Sequence, residues 1–361
     1  MKRIFKFFIL ILSIISIIIL LNFNKLKIKY LSKNTGYQET TINTLIEIEL
    51  FDNIENKDYS ATLDKIINTI YFKKELINEY LNILYIDRET FLNNIDNMLE
   101  KGYNSKEINV IFQRLSQDNI NILLKEEYLS NIIDLIETSY FKEKNFKRYL
   151  SYLSTNKNKE IETIITNVNI GIDNKFYTNI NNIEKQDDPL VLVNKYHKLD
   201  TNYIPKDLQK VSAGSATLQK EAKIAFDNMC KDARKENVIL YGGSGYRSYN
   251  HQKNLYNNYV KQDGKSKADT YSARPGHSEH QTGLAIDIIK SSGHFVYETD
   301  KEFTWLTNNA YKYGFILRYP KGKENITGYM YEPWHYRYLG TDIAKEIYEL
   351  NITYEEYVAK K

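Results

Sequence analysis

The segment Ser278-Glu-His-Gln-Thr-Gly-Leu-Ala-Ile-Asp287 combines a strand pattern with two side chains that bind metals. Its apolar end predicts a buried strand, in which the carboxylate of Asp287 is costly unless a cation or hydrogen bonds compensate it. His280 precedes Asp287 by seven residues, and a later motif, Glu332-Pro-Trp-His335, supplies a second imidazole. Two imidazoles and one carboxylate suit catalytic zinc with an open fourth position. Glu332, the remaining carboxylate, has the chemistry of a general base.

Residues near these motifs also bear on the chemistry. Gly283 suits a close approach of the backbone to a ligand, and Pro333 argues against a helix in the second motif. Arg247 offers a guanidinium fork to a substrate carboxylate or a polarised carbonyl, although a turn arginine is also a common solvated surface residue. The turn before it, Gly242-Gly-Ser-Gly245, lacks the Gly-Lys-Ser/Thr of a phosphate loop, which argues against a nucleotide partner.

The pattern on either side of these motifs predicts interleaved strands and helices. The expected strands are 190–193, 238–241, 283–289 and 315–318, and the expected helices are 216–235, 248–260, 303–313 and 342–350. No long series of equal βαβ units is present. We therefore expect an α+β domain with a mostly antiparallel sheet flanked by helices.

The region from 36 to 185 predicts helices only. It is polar and free of proline, with apolar residues at helical spacing and a weak repeat that starts at Tyr71, Tyr103 and Tyr140. Spacings of 32 and 37 residues are typical of stacked helical hairpins. We expect a spacer or docking region, with plain helical packing as the alternative. The acidic pair before Pro189 marks the boundary, so the expected domains are 1–25, 36–185 and 186–361.

The N-terminus has the pattern of an export signal. Lys2, Arg3 and Lys6 precede an apolar run from Phe7 to Leu21. No small-x-small cleavage site follows the run, so we expect an uncleaved, single-pass membrane anchor with the rest of the chain outside the cell. Cleavage of the segment is the main alternative, and a buried core helix is the other.

Composition narrows the possible partners. The 361 residues carry a net charge of +3, which is too balanced to indicate nucleic acid. Cys230 is the single cysteine, which excludes an intramolecular disulfide and a cysteine-based structural zinc site.

The residues from about 188 to 350 resemble the VanY-type D-alanyl-D-alanine carboxypeptidases, zinc peptidases of the bacterial cell wall. The resemblance covers somewhat under half of the chain. It rests on an ordered series of motifs: Leu190-Val-Leu-Val-Asn194, Gly245-Tyr-Arg-Ser-Tyr249 with Gln252, Ser272-Ala-Arg-Pro-Gly276, Ser278-x-His-x-x-Gly-x-Ala-x-Asp287, Tyr313-Gly-Phe315 and Glu332-Pro-Trp-His335.

This resemblance implies a role for each site residue and the compact α+β fold shared with hedgehog-type and lysostaphin-like zinc peptidases. It implies zinc on His280, Asp287 and His335, with Glu332 as the general base. It also implies substrate contacts from three further residues: Arg247, Ser278 and Gln252.

The implied reaction is removal of the terminal D-Ala from peptidoglycan stem peptides by a membrane-anchored zinc carboxypeptidase that uses no serine nucleophile. The alternatives are an L,D-carboxypeptidase, an endopeptidase that cuts crosslinks, and a non-catalytic wall-binding module. An intact general base argues against the last of these.

Overall fold

The structure is a computed structural model that describes residues 2–361, with side chains from Leu10 onward. The chain divides into two compact units, Met1–Thr138 and Ser139–Lys361.

The first unit and the start of the second are helical. The helices before residue 175 are α1 (Lys2–Thr35), α2 (Glu39–Glu47), α3 (Ala61–Ile66), α4 (Ile77–Asn82), α5 (Phe91–Lys101), α6 (Ser105–Arg114), α7 (Gln117–Leu123), α8 (Ile132–Glu137), α9 (Phe146–Thr155) and α10 (Ile161–Ile170). Short 3-10 helices lie at Phe51–Asn53, Lys74–Leu76 and Glu143–Asn145.

The rest of the second unit mixes strands and helices. The strands are β1 (Asn181–Asn182), β2 (His197–Lys198), β3 (Leu208–Lys210), β4 (Thr217–Gln219), β5 (Tyr241–Ser244), β6 (Ala285–Ile289), β7 (Phe315–Leu317) and β8 (His335–Tyr338). The helices are α11 (Lys220–Lys235), α12 (Tyr249–Asp263), α13 (Lys265–Tyr271), α14 (Lys301–Asn309), α15 (Glu324–Thr327), α16 (Thr341–Leu350) and α17 (Tyr354–Ala359), with 3-10 helices at Glu279–Thr282 and Ala310–Tyr313.

The central sheet has the strand order β5-β6-β8-β7, and every neighbouring pair in it is antiparallel. Side chains alternate across a strand, so Ile286 and Ile288 of β6 join Tyr336 of β8 in the hydrophobic core. Asp287 and His335 therefore point to the opposite face. The predicted α+β domain with an antiparallel sheet is confirmed, and its middle strands carry two of the predicted metal ligands.

Several predicted elements differ from the structure. Residues 190–193 do not form a strand, because a side chain binds the backbone there in place of a neighbouring strand: Arg337 Nη2 donates to Val191 O at 3.0 Å and to the preceding Pro189 O at 2.8 Å. The strand predicted at 238–241 is shifted to 241–244, since the glycine-rich stretch itself pairs with β6. Part of the helix predicted from 216 forms β4 instead.

Four tyrosines share hydrogen-bond geometries in the helical region. Their hydroxyls each accept a backbone N–H: Tyr37 from Ser60, Tyr80 from Lys73, Tyr103 from Leu129 and Tyr149 from Lys142. The geometry in which the donor lies later in the chain occurs at Tyr37 and again 66 residues on, at Tyr103. The geometry in which the donor lies earlier occurs at Tyr80 and again 69 residues on, at Tyr149. The repeat with spacings of 32 and 37 residues stays a prediction.

The last helix before the strands packs within the second unit. Helix α10 contacts α17, and Asn169 Nδ2 donates to Ala359 O at 3.1 Å. The division between the two compact units, after Thr138, thus lies well before the boundary predicted near residue 186.

Helix α1 includes the predicted anchor. From Leu10 to Thr35 it is long and apolar enough to cross a membrane, and none of its most apolar window is buried. A signal sequence meets the same criteria. Met1 and the side chains of Lys2, Arg3, Lys6 and Phe7 lie outside the described residues. They include the cations of the predicted signal pattern.

Candidate active site

The two middle strands bring the predicted metal ligands together. Asp287 lies directly opposite His335 in the register of β6 and β8. Asp287 Oδ1 lies 3.0 Å from His335 Nδ1, and Asp287 Oδ2 lies 3.3 Å from His280 Nε2. One ligand atom from each residue lies within 4.8 Å of the others. Zinc bonds of about 2.0–2.1 Å in a tetrahedron separate neighbouring ligand atoms by about 3.3 Å, so these spacings fit a zinc ion.

Hydrogen bonds select which nitrogen of each imidazole faces the cluster. His280 Nδ1–H donates to Gly245 O at 2.7 Å, which leaves Nε2 as the lone-pair nitrogen beside Asp287. His335 turns its ring the other way, with Nδ1 at the cluster and Nε2 3.5 Å from Glu279 Oε2. A carbonyl or carboxylate that accepts from the outer nitrogen is the usual support of a metal-binding histidine.

Gly245 holds its carbonyl there because the chain is tightly packed at this residue. A Cβ at Gly245 would lie 2.3 Å from Thr217 O, so no larger residue fits. Gly283 has a different role from the predicted close approach to a ligand. It ends the 3-10 helix with a φ of 68°, and an added Cβ would lie 2.8 Å from Leu208 Cδ2.

Glu332 reaches the cluster through a tight turn. His335 N–H donates to Glu332 O at 3.1 Å, and Pro333 fits the second position of such a turn. The Glu332 Oε2 atom then lies 3.9 Å from His335 Nδ1. Burial raises the pKa of Glu332 to about 8, although His335 acts in the opposite direction. A carboxylate with a pKa near neutrality is suited to proton transfer.

The ligand cluster has a strongly negative potential in the absence of a cation. Burial disfavours a charged imidazole, yet the hydrogen bond to Asp287 and the nearby carboxylate of Glu279 outweigh this and raise the pKa of His335 to about 9. Burial likewise opposes the charge on Asp287, but the two histidines hold the pKa of that carboxyl well below its usual range. The same potential also favours binding of a metal cation.

The predicted substrate contacts lie in the same cavity. Arg247 Nη1 donates to Gln252 Oε1 at 2.8 Å, and Arg247 Nη2 donates to Ser244 Oγ at 3.0 Å. Nη2 also lies 3.8 Å from Asp287 Oδ2. Ser278 is buried and lines the cavity wall. All seven predicted site residues line this one cavity, whose volume is about 320 Å³. Burial lowers the pKa of Arg247, with Asp287 opposing that shift.

Aromatic residues line much of the cavity. Trp334 forms one wall and stacks on Phe295 with ring centroids 5.0 Å apart. Tyr319 covers the other side, with its ring 4.8 Å from that of His335. Other tyrosines also line the cavity: Tyr259, Tyr271 and Tyr329. Tyrosine is so frequent in this chain, at 31 residues, that no local pattern marked these positions.

A buried ion network behind the ligands was also missed. Glu279 Oε1 accepts from Arg318 Nε at 2.7 Å and from Arg337 Nη1 at 3.0 Å. Arg318 in turn makes a two-point contact with Glu355, at 2.8 and 2.7 Å. All four side chains are at most 1% exposed.

Comparisons with known proteins identify relatives of this chain. The VanY model, described as D-alanyl-D-alanine carboxypeptidase, matches residues 215–341. YodJ of Bacillus subtilis (strain 168), named a carboxypeptidase, is 43% identical over 202 residues, which are 52% of this chain and 73% of YodJ. A D-alanyl-D-alanine carboxypeptidase of Enterococcus faecalis is 35% identical over 190 residues, which are 48% of this chain and 67% of that protein.

The solved structure of the LD-carboxypeptidase LdcB has 42% sequence identity and a TM-score of 0.48, and the match covers 52% of this chain and 92% of that one. The resemblance inferred from the motifs is confirmed by the family match and by the identity to the curated relatives. This chain is a carboxypeptidase and belongs to the VanY-type D-alanyl-D-alanine carboxypeptidase family.

Proposed function

We propose that this chain removes the C-terminal D-Ala from peptidoglycan stem peptides in a zinc-dependent reaction outside the cell. The observation that carries the proposal is the cluster of His280, Asp287 and His335 with the Glu332 carboxylate beside it. Three N/O ligands with a free carboxylate nearby are typical of hydrolytic zinc sites.

Nε2 of His280, the Asp287 carboxylate and Nδ1 of His335 would hold the zinc. The chemistry that zinc supplies when bound is Lewis acidity, which polarises the scissile carbonyl and makes a water molecule more acidic. A divalent cation at this position also favours the ionised form of Glu332, so we expect its pKa to be below about 8 in the holoenzyme.

Glu332 would take the proton of the attacking water and deliver it to the leaving amine of D-Ala. Its burial suits the first step, because a desolvated carboxylate binds a proton more tightly than one in water. Arg247 would bind the terminal carboxylate of the substrate or the developing oxyanion. Its contacts with Gln252 and Ser244 keep the guanidinium aimed into the cavity, and Ser278 would contribute a hydroxyl at the cavity wall.

Helix α1 would anchor the protein in the membrane, and the helical region after it would act as a spacer or docking element. The apolar, unburied stretch from Leu10 supports the anchor. Peptidoglycan lies outside the cell membrane, so this orientation would put the enzyme in the same compartment as its substrate.

Mass analysis of defined stem peptides incubated with the purified chain, with and without a chelator, tests the function. We expect the pentapeptide to lose its terminal D-Ala and the chelator to stop that loss. Trimming of the tetrapeptide instead would indicate an L,D-carboxypeptidase, and separation of crosslinked stems would indicate an endopeptidase. No cleavage of any of them with zinc present would favour a wall-binding module.

A further inference from the structure

Glu279 lies next to one predicted metal ligand in sequence and faces another in space. It follows Ser278 and is the first residue of the 3-10 helix Glu279–Thr282, in which His280 is the second residue. The His280 side chain points to Asp287, whereas the Glu279 side chain passes beneath the site toward His335. Its Oε2 atom lies 3.5 Å from His335 Nε2.

These two atoms have no closer partner. Within the described part of the chain, neither Glu279 Oε2 nor His335 Nε2 has a hydrogen-bond partner, and both are buried. A buried polar atom without a partner is uncommon and calls for a physical explanation. Here the two atoms face each other just beyond normal hydrogen-bond length, so a small contraction of the site would join them.

We infer that Glu279 is a positioning residue that accepts the Nε2 proton of His335 and so keeps Nδ1 free to bind the metal. The inference rests on the proposed metal site. If Nδ1 is a ligand, the neutral ring must carry its proton on Nε2, and Glu279 Oε2 is the acceptor that faces this nitrogen. Such an outer carboxylate fixes the ring and makes it a better donor.

The surrounding charges keep Glu279 in this role. Arg318 and Arg337 both bind Oε1 and leave Oε2 for the imidazole. Glu355 balances Arg318, so the two arginines and two glutamates sum to zero charge. A buried carboxylate without a partner would be costly. The neutral network avoids this cost and places no net charge beside the metal.

The backbone reinforces the same geometry. Arg318 N–H donates to His335 O at 3.1 Å, and Arg337 is two residues beyond His335 on the same face of β8. Both partners of Glu279 are therefore tied to the strand that holds His335. The carboxylate and the imidazole are fixed to one frame, as a positioning role requires.

Glu279→Gln in the 361-residue chain tests the inference. The amide oxygen can still accept from the arginines, but its NH2 group would face His335 Nε2 and favour a proton on Nδ1 instead. Competition with a chelator should show zinc binding about 10- to 100-fold weaker than in the wild type, the usual cost of losing an outer carboxylate. The visible spectrum of the cobalt-loaded protein should change as well.

Glu355→Gln is the matched control. It removes one buried negative charge from the same network by the same isosteric change, yet Glu355 contacts Arg318 and Asn194 rather than His335. We expect a similar loss of thermal stability but a zinc affinity and cobalt spectrum close to those of the wild type. If both variants lost zinc equally, Glu279 would be only a structural member of the network.

The remaining outcomes separate this inference from the proposed function. A wild-type chain that binds no zinc would overturn both, whereas wild-type zinc affinity in a folded Glu279→Gln variant would overturn only the positioning role. If Glu279→Gln does not fold, Glu279→Asp keeps the charge but shortens the reach to His335. We then expect a folded protein with weakened zinc binding, and unchanged binding in that variant would also reject the role.

Discussion

Asp287 and His335 are direct neighbours across two antiparallel strands, with Asp287 Oδ1 3.0 Å from His335 Nδ1. Neighbouring strands in a sheet are held at a fixed spacing by their backbone hydrogen bonds. The core side chains Ile286, Ile288 and Tyr336 hold these strands from the other face. Two of the three proposed ligands are thus built on the central sheet. The third ligand, His280, comes from a short 3-10 helix, and the proposed base, Glu332, comes from a turn.

Glu332→Gln separates the base from the ligands. The substitution keeps the shape of the side chain but removes its ability to accept a proton. We expect zinc and fold to be retained while turnover falls about 100-fold or more, the usual contribution of a general base. Steady-state kinetics together with metal analysis check this. Loss of zinc in the variant would make Glu332 a ligand, and near wild-type turnover would remove it from the mechanism.

Arg247 makes a prediction about the substrate terminus. Because the guanidinium is proposed to bind a carboxylate, amidation of the terminal D-Ala should weaken binding by about 1.5–3 kcal/mol, the range for a hydrogen bond to a charged group. Arg247→Ala should lose the preference for the free terminus. Cleavage of both peptides at the same rate by the wild type would contradict the assignment and favour an endopeptidase.

The sequence predicts those site residues whose pattern is local, and it does not reveal residues whose partners lie far away in the chain. Asp287 in an apolar run and Glu332 before Pro-Trp-His are local patterns. The strand forms where its pattern predicts it, and the second motif is not helical, as Pro333 indicates. Glu279 had no such pattern, since its partners Arg318 and Arg337 lie 39 and 58 residues away. The apolar run at 190–193 was wrongly predicted as a strand for a related reason. Its backbone acceptors bind a distant arginine rather than a neighbouring strand.

His277 makes the stability of the second unit depend on pH. Burial lowers its pKa to about 4, opposed by its hydrogen bond to Asn194 O. The unfolded chain therefore binds more protons between pH 6.5 and 4. This contribution to the unfolding free energy is complete above pH 6.5 and is lost as the pH falls through 4. Denaturant titrations of metal-free wild type and His277→Asn should show a difference in free energy that shrinks over this range. A difference that stays constant would reject the assignment.

Two deletions test the spacer proposal. Removal of 36–138 leaves the second unit complete, so activity on soluble peptides should persist while trimming of the cell wall in cells declines. Removal of 36–185 also takes away α10, which packs on α17, and we expect this protein to be less stable. Peptide assays and thermal unfolding of both proteins check the prediction. Loss of activity on soluble peptides after the shorter deletion, with the second unit still folded, would show that the first unit contributes to catalysis.

Zinc content per chain is the most direct test of the metal site. We expect metal analysis of the purified protein to find one zinc per chain in the wild type and very little in His335→Ala, because the substitution removes one of three ligands on which the open site depends. Glu332→Gln is the control, because it changes the same turn but leaves all three proposed ligands in place. Full zinc occupancy in His335→Ala would contradict the account.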